Sequence, residues 1–245
     1  MVSNICCDKS ATSAILSANK IACFEHIYFT KDFYTEKELL ATFHSNKNNV
    51  VIKPNTGTSG IDVYHCTKQD DFLKKSMHII KHYPGLAISP FYNYNIEYRV
   101  VVNNGKIILS LCKEKSHIIG DGINNVESLS KQKNINPTTI LGVDKNYLPA
   151  QHEKVYINWK HNLSQGGVIA EMSPSIEKQL AKIVVRICKI IDIKFFSIDF
   201  AIIDDKPIVV EINSGVMLEK YSSFDQQHYQ RAYKIYEDII TELLK

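Results

Sequence analysis

A chain of 245 residues is long enough to bury a sizeable core, as one large domain or two small lobes. With 44% hydrophobic and 22% charged residues it has the composition of a soluble globular protein, and a net charge of +3 is too small to argue for nucleic-acid or membrane binding. No apolar run approaches the ~20 residues that span a bilayer, and the N-terminal "MVSNICCDKSATS" lacks a secretory pattern. The cysteines at 6, 7, 23, 66, 112 and 188 have no zinc spacing, which points to free thiols in a reducing cytoplasm.

In chain order, residues 8–20 read as a helix capped by Asp8, with Ala11, Ala14, Ile15 and Leu16 near one face. "TEKELLATFHSN" begins with Thr35 and has Glu38 three residues on, the capping-box spacing, so a helix over about 35–45 follows. Strands at 49–53 and 61–65 form a hairpin whose connection is too long for a tight turn. The helix expected over 67–82 takes its apolar side from Phe72, Met77, Ile79 and Ile80, and "GLAISPF" is a short strand ending at Pro90. Two β-rich runs flank Asn103-Asn104-Gly105, a strong hairpin signal. Residues 116–165 are mixed, with a helix in "NNVESLSKQKN". The longest amphipathic helix is expected over 174–191, then a hairpin turned at Asp204-Asp205-Lys206. The tail is a helix whose Tyr229, Tyr233 and Tyr236 read as core packing. Strand pairs joined by short turns favour an α+β fold with mixed or antiparallel sheets.

Two stretches carry chemistry. "VVIKPNTGTSGIDVYHC" sets Lys53 before a loop of Gly57, Thr58, Ser59 and Gly60. Glycines let backbone N–H groups turn around an anion, hydroxyls add donors and Lys53 adds charge, which together suit a phosphate. Composition alone leaves a plain flexible hairpin tip open. The lysine precedes the glycines and a strand follows them, which excludes a Walker loop and a dinucleotide fingerprint. "SIDFAIIDDKPIVVEINSG" places Asp199 in one strand of a hairpin, with Glu211 and Asn213 two apart on the other and so on one face. Two carboxylates and an amide are hard oxygen ligands suited to Mg²⁺.

With these residues together, the chain resembles the ATP-grasp enzymes. It is similar in particular to the ATP-grasp module of bifunctional glutathione synthetases and of cyanophycin synthetase. The matching pieces are "EYRVVVNNGKII", "IIGDGINNVESLSKQKN", "HNLSQGG", "SIDFAIID" and "VVEINSGVML", in the family's order and over most of the chain from Asp8 onward. The resemblance implies one ATP-grasp domain over 1–245, of two α+β lobes that sandwich ATP. The smaller lobe, roughly 20–90, carries the glycine-rich loop, and the larger, roughly 91–245, carries the metal hairpin. It implies ATP and two Mg²⁺ ions, an acyl phosphate, and an amide or peptide bond formed on an amino acid or small peptide. By the same resemblance Lys9 and Lys53 touch the phosphates, Gly57, Thr58, Ser59 and Gly60 close over them, and Asp199, Glu211 and Asn213 hold the metal. Ile88, Ser89 and Phe91 lie along the adenine and Glu97 near the ribose. Lys113 lies by the transferred phosphate, with Lys115 as the alternative and the other lysine solvated. Asn162, Gly166 and Gly167 shape the acceptor side, and Arg99 binds a substrate carboxylate.

The sequence departs from the pattern in three places. Ser89 and Pro90 stand where the family has an acidic hinge residue. The basic residue expected before "NLSQGG" is displaced, with Lys160 beside Trp159 on offer. The first motif starts at residue 8, so the usual N-terminal lobe is expected to be absent. That leaves a partner, a homodimer neighbour or a carrier-presented substrate as ways to supply it. Beside the ligase stand two other readings, a non-catalytic nucleotide-binding module and a small-molecule kinase. "GDG" at 120–122 is equally readable as a turn.

Overall fold

The computed structural model describes every residue except 1, 58–59, 136–139, 141, 162, 164–166 and 245, and the backbone alone at 2–4. The chain divides into two compact units, the first made of residues 1–94, 100–109 and 174–216, the second of 95–99, 110–173 and 217–245.

The first unit opens with helices α1 (Val2–Cys7) and α2 (Lys9–Ala18), the latter capped as expected by the Asp8 carboxylate, which accepts the Ala11 N–H at 2.8 Å. Its buried face is Lys9, Thr12, Ser13 and Leu16, so the expected alanine face is corrected: Ala14 is exposed. Strand β1 (Ile27–Thr30) escaped the sequence reading. Helix α3 (Glu36–Ser45) carries the expected reciprocal box between Thr35 and Glu38. Strands β2 (Val50–Pro54) and β3 (Tyr64–Cys66) form the expected antiparallel hairpin. β3 starts later than expected because Asp62, at φ 52, is in left-handed backbone that no strand admits.

Helix α4 (Gln69–His82) buries Phe72, Ile79 and Ile80, but Met77 is exposed and Ser76 takes the inner position. Strand β4 (Gly85–Pro90) pairs with both β1 and β2, giving a four-stranded antiparallel sheet of order β1-β4-β2-β3. Helices α3 and α4 pack their apolar sides with this sheet in one core, in which Phe43 stacks on Phe72 at 4.7 Å.

Strands β5 (Ile96–Asn103) and β6 (Lys106–Glu114) have residues in both units. They meet at Asn104 and Gly105, whose φ values of 46 and 76 suit the tight hairpin that Asn-Gly specifies. Helix α6 (Pro174–Cys188) stops three residues short of the expected 191. Strands β10 (Phe195–Ile203) and β11 (Lys206–Asn213) turn at Asp204 and Asp205, at φ 49 and 58, so Lys206 belongs to the strand and not to the turn.

In the second unit, β7 (His117–Ile119) and β8 (Lys154–Tyr156) form a two-stranded antiparallel sheet. Helix α5 (Val126–Gln132) packs beside it around Ile118, Val126, Leu129, Ile140, Val155 and Ile157. Strand β9 (Val168–Ala170) pairs with the end of β6, and the five-stranded sheet has the order β11-β10-β5-β6-β9. Helices α7 (Glu219–Ser222) and α8 (Gln226–Leu243) close the chain. α8 buries Ala232, Ile235 and Ile239, whereas Tyr229 and Tyr233 are exposed, which overturns their reading as core residues. Interleaved helices and antiparallel ladders bear out the α+β expectation. Among the described residues no helix is long and apolar enough to cross a membrane.

Candidate active site

In the first unit, Lys53 stands one residue before the end of β2, opposite Ala87 of β4, and is buried. Lys9 is the first residue of α2 and is buried as well. Lys9 is tied to the start of the glycine-rich loop through Asn55. That residue accepts the Lys9 N–H on its carbonyl at 3.2 Å, accepts the Ser10 N–H on Oδ1 at 3.0 Å, and donates its own N–H to the Gly85 carbonyl at 3.0 Å. The helix start is thereby fixed against the start of the loop. Lys9 Nζ then donates to the Gly57 carbonyl at 2.6 Å and lies 3.5 Å from Glu211 Oε1. Gly57 is needed for space, since a Cβ there would stand 2.9 Å from Pro54 Cβ, and Gly60 for its φ of 71. Thr58 and Ser59 lie outside the described residues.

The hairpin meets its sequence expectation in register. Asp199 is the Cα partner of Glu211, with a bulge immediately after, and Asn213 is the partner of Ser197. Asp199 is buried, while the Glu211 side chain keeps 28% of its surface in solvent. Among the described residues no group of three or more His, Cys, Asp and Glu side chains is placed to hold a metal. The expected set is instead two facing carboxylates and an amide, a donor set made of oxygen and suited to Mg²⁺. The Lys9 ammonium beside Glu211 shows that this carboxylate faces positive charge.

A small cavity between α2 and β11 is lined by Lys9, Glu211, Ser13, Cys23 and His26 among others. His26 was not singled out by sequence. Both its ring nitrogens are buried, and this desolvation, with Lys53 and Lys9 close by, holds it well below its ordinary 6.5. In the expected adenine segment, Ile88 is a core side chain, so only its backbone remains for recognition. Ser89 is buried in β4, and Phe91 stacks on His65 at 3.8 Å.

The second unit gathers another polar group. Glu97 of β5 pairs with Lys113 of β6, both buried. Lys115 is buried too, which corrects the expectation that one of these lysines is merely solvated. Its Nζ donates to Asn95 Oδ1 at 3.4 Å, and burial lowers its pKa. Beside them His161, also buried, is held below 6.5 by desolvation against the pull of Glu97. Arg99 of β5 is half-buried and Gly167 is buried, while Asn162 and Gly166 lie outside the described residues. Lys160 Nζ lies 5.6 Å over the Trp159 ring. The "GDG" stretch is a turn by its contacts. Asp121 Oδ1 accepts the N–H groups of Ile123 and Asn124, and a Cβ on Gly120 would stand 2.1 Å from the Ala150 carbonyl oxygen.

A glycine-rich loop in a β-hairpin, tied to the buried Lys9, together with a carboxylate-bearing hairpin on antiparallel sheets, defines an ATP-grasp fold. Residues 106–237 match the RimK-like ATP-grasp domain, more than half of the 245 residues. The chain belongs to this family. It is 23% identical over 236 residues to the glutathione biosynthesis bifunctional protein GshAB of Listeria welshimeri, covering 84% of this chain and 30% of that protein. It is also 23% identical over 242 residues to cyanophycin synthetase of a Nostoc species, covering 86% of this chain and 26% of the other. The chain thus spans less than a third of the length of these relatives. D-alanine–D-alanine ligase from Bacillus anthracis, solved in complex with ATP, shares the fold with a TM-score of 0.55 at 16% identity, over 87% of this chain and 57% of the ligase.

Proposed function

We propose that the protein is an ATP-dependent carboxylate–amine ligase. A substrate carboxylate attacks the γ-phosphate of ATP, the acyl phosphate forms with release of ADP, and an amine displaces phosphate to give an amide. The observation that carries this reading is the convergence of Lys9 on the glycine-loop carbonyl of Gly57 and on Glu211, whose partner across the hairpin is Asp199. Phosphoryl transfer asks for alignment and charge neutralisation more than for covalent help from the protein. Lys9 and Lys53 supply fixed positive charge to the phosphates, over which the loop that begins at Gly57 closes. Asp199, Glu211 and Asn213 would hold Mg²⁺, which when bound neutralises charge on the phosphate oxygens. Ile88, Ser89 and Phe91 border the adenine. In the second unit the paired Glu97 and Lys113, with Arg99, Asn162, Gly166 and Gly167, serve the ribose, the transferred phosphate and the substrates. The six thiols are all free, in keeping with a reducing compartment.

The test is a phosphate-release screen with MgATP and pairwise pools of amino acids and short γ-linked or α-linked peptides, read by mass spectrometry. A product mass equal to acid plus amine minus water, matched by ADP, establishes the ligase and names its substrates. ADP formed from one substrate alone, with a phosphorylated product, would make it a kinase. ATP binding by thermal shift with no product in any pool would make it a binding module.

A further inference from the structure

The glycine-rich loop returns to β3 through Gly60, Ile61, Asp62 and Val63. Two of these stand in left-handed backbone, Gly60 at φ 71 and Asp62 at φ 52. Glycine takes that conformation freely, whereas an aspartate needs a reason to hold it. The Asp62 carboxylate shows the reason. Its Oδ1 accepts the Tyr64 hydroxyl at 2.6 Å, and its Oδ2 accepts the Tyr83 hydroxyl at 2.5 Å. His78 Nε2 lies 3.4 Å from Oδ1. The two phenols hold the carboxyl below the usual carboxylate range, so it is ionised at neutral pH and both bonds are charge-assisted.

The donors stand on rigid supports. Tyr64 opens β3 opposite Ile52 of β2, and Tyr83 ends α4 with its N–H on the Ile79 carbonyl at 2.9 Å. Both rings pack against the core of the first unit. Lys75 of α4 lies 5.0 Å over the Tyr64 ring and is itself held by Asp71 at 2.7 Å. A strand, a helix and the residue that ends the helix thus converge on one loop residue. The core keeps both rings without their hydroxyls, so what the hydroxyls add is the place of Asp62. Ordering a loop residue costs conformational entropy, and two charge-assisted bonds from fixed donors offset it. Asn55 does the corresponding work where the loop begins, through its bonds to Lys9, Ser10 and Gly85.

We propose that Asp62 is a positioning residue for ATP: gripped by Tyr64 and Tyr83, it fixes the point from which the glycine-rich loop returns to the sheet, and with it the register in which the loop meets the phosphates. The inference deepens the ligase reading and rests on it for the phosphates. Asp62 acts through the loop backbone and not by touching the nucleotide. Loosening its grip lowers the share of chains in which the loop stands ready, and the apparent ATP affinity falls by the same factor.

The test is binding of ATP and of AMP to the whole chain with Mg²⁺, each by competition against a fluorescent ATP analogue. It compares the wild type, Tyr64→Phe/Tyr83→Phe, Asp62→Asn and all three changes together. Asparagine tolerates left-handed backbone as aspartate does, and phenylalanine keeps each ring in the core, so the variants should fold. ATP affinity should fall about tenfold in Tyr64→Phe/Tyr83→Phe and in Asp62→Asn. AMP affinity should hold, because AMP lacks the β- and γ-phosphates. The triple variant should lose no more than Asp62→Asn, since the hydroxyls act only through the carboxylate. ATP affinity unchanged in both variants overturns the inference and leaves the ligase reading standing. Equal losses for ATP and AMP reduce Asp62 to a structural residue and overturn it too, as do losses that add in the triple variant. A wild-type chain that binds neither nucleotide overturns the nucleotide reading itself, and the inference with it.

Discussion

Replacing Gly120 by alanine asks whether the "GDG" turn is architecture or chemistry. A Cβ at this position would lie 2.1 Å from the Ala150 carbonyl oxygen and 2.7 Å from Pro149 Cβ, where real contacts stay beyond 3.0 Å. The obstacle is backbone, so the two segments must part by close to an ångström. The turn is held by the Gly120 N–H on the Glu153 carbonyl and the His152 N–H on the Gly120 carbonyl, both at 2.8 Å. Loss of two such bonds costs about 1 kcal/mol each. Overpacking adds about 1–3 kcal/mol. The expected destabilisation is therefore about 3–5 kcal/mol. With a urea slope of about 2 kcal/mol/M, the midpoint should fall by about 1.5–2.5 M. Trp159, the one tryptophan, belongs to the same unit and reports its unfolding by fluorescence. Gly122→Ala is the internal comparison. It has φ 72 but nothing closer than 3.6 Å, so it should cost only the left-handed backbone, about 1–2 kcal/mol. A Gly120→Ala protein within about 0.5 kcal/mol of wild type would refute the steric reasoning and return the motif to a ligand-binding role.

Four further outcomes are expected. Phe72→Ala, which removes a fully buried ring stacked on Phe43, should cost about 3–5 kcal/mol in thermal or urea unfolding. Thr35→Ala should cost about 1 kcal/mol by removing one side of the box with Glu38, measurable as a fall in unfolding temperature. Lys53→Ala should weaken ATP binding by calorimetry, whereas Glu211→Ala should keep binding and lose turnover; undiminished activity in both would dismiss the site. The pH dependence of stability should carry a trace of His26. Its folded pKa is depressed, so the unfolded chain takes up a proton near 6.5 while the folded chain resists it. The stability present above that pH therefore declines as pH falls below it, and His26→Phe should flatten the acid limb in unfolding series taken at stepped pH.

The features that could be read from sequence are those whose cause is local. Asn104-Gly105 and Asp204-Asp205 adopt positive φ because of what they are, so both hairpins and the Asp199–Glu211 pairing were legible. α3 was legible for the same reason, since Thr35 and Glu38 need only each other. Strands β1, β7, β8 and β9, of three or four residues, carry too few positions to show alternation. Ile27 and Tyr28 of β1 even face solvent. Lys53 and the hairpin acids announce themselves by charge within apolar runs. Asn55 does not, because its work consists of bonds to Lys9, Ser10 and Gly85, which only the closed fold supplies. His26 was invisible for a like reason, as its burial is a property of the fold.

The join between Lys9 and Glu211 also has a history in time. The ribosome makes Glu211 only about two hundred residues after Lys9, which at about 5–20 residues per second is a wait of roughly ten to forty seconds. Residues 22–24 wait equally long, since Ala22 and Phe24 hydrogen-bond to Val209 of the same late strand. During that interval α2 and the glycine-rich loop exist without the hairpin that completes their unit, and the cysteines at 6 and 23 stand uncovered by β11. A nascent chain stalled before residue 206 would present an unfinished edge there, which makes the interval, rather than the finished protein, the point at which a chaperone has something to hold.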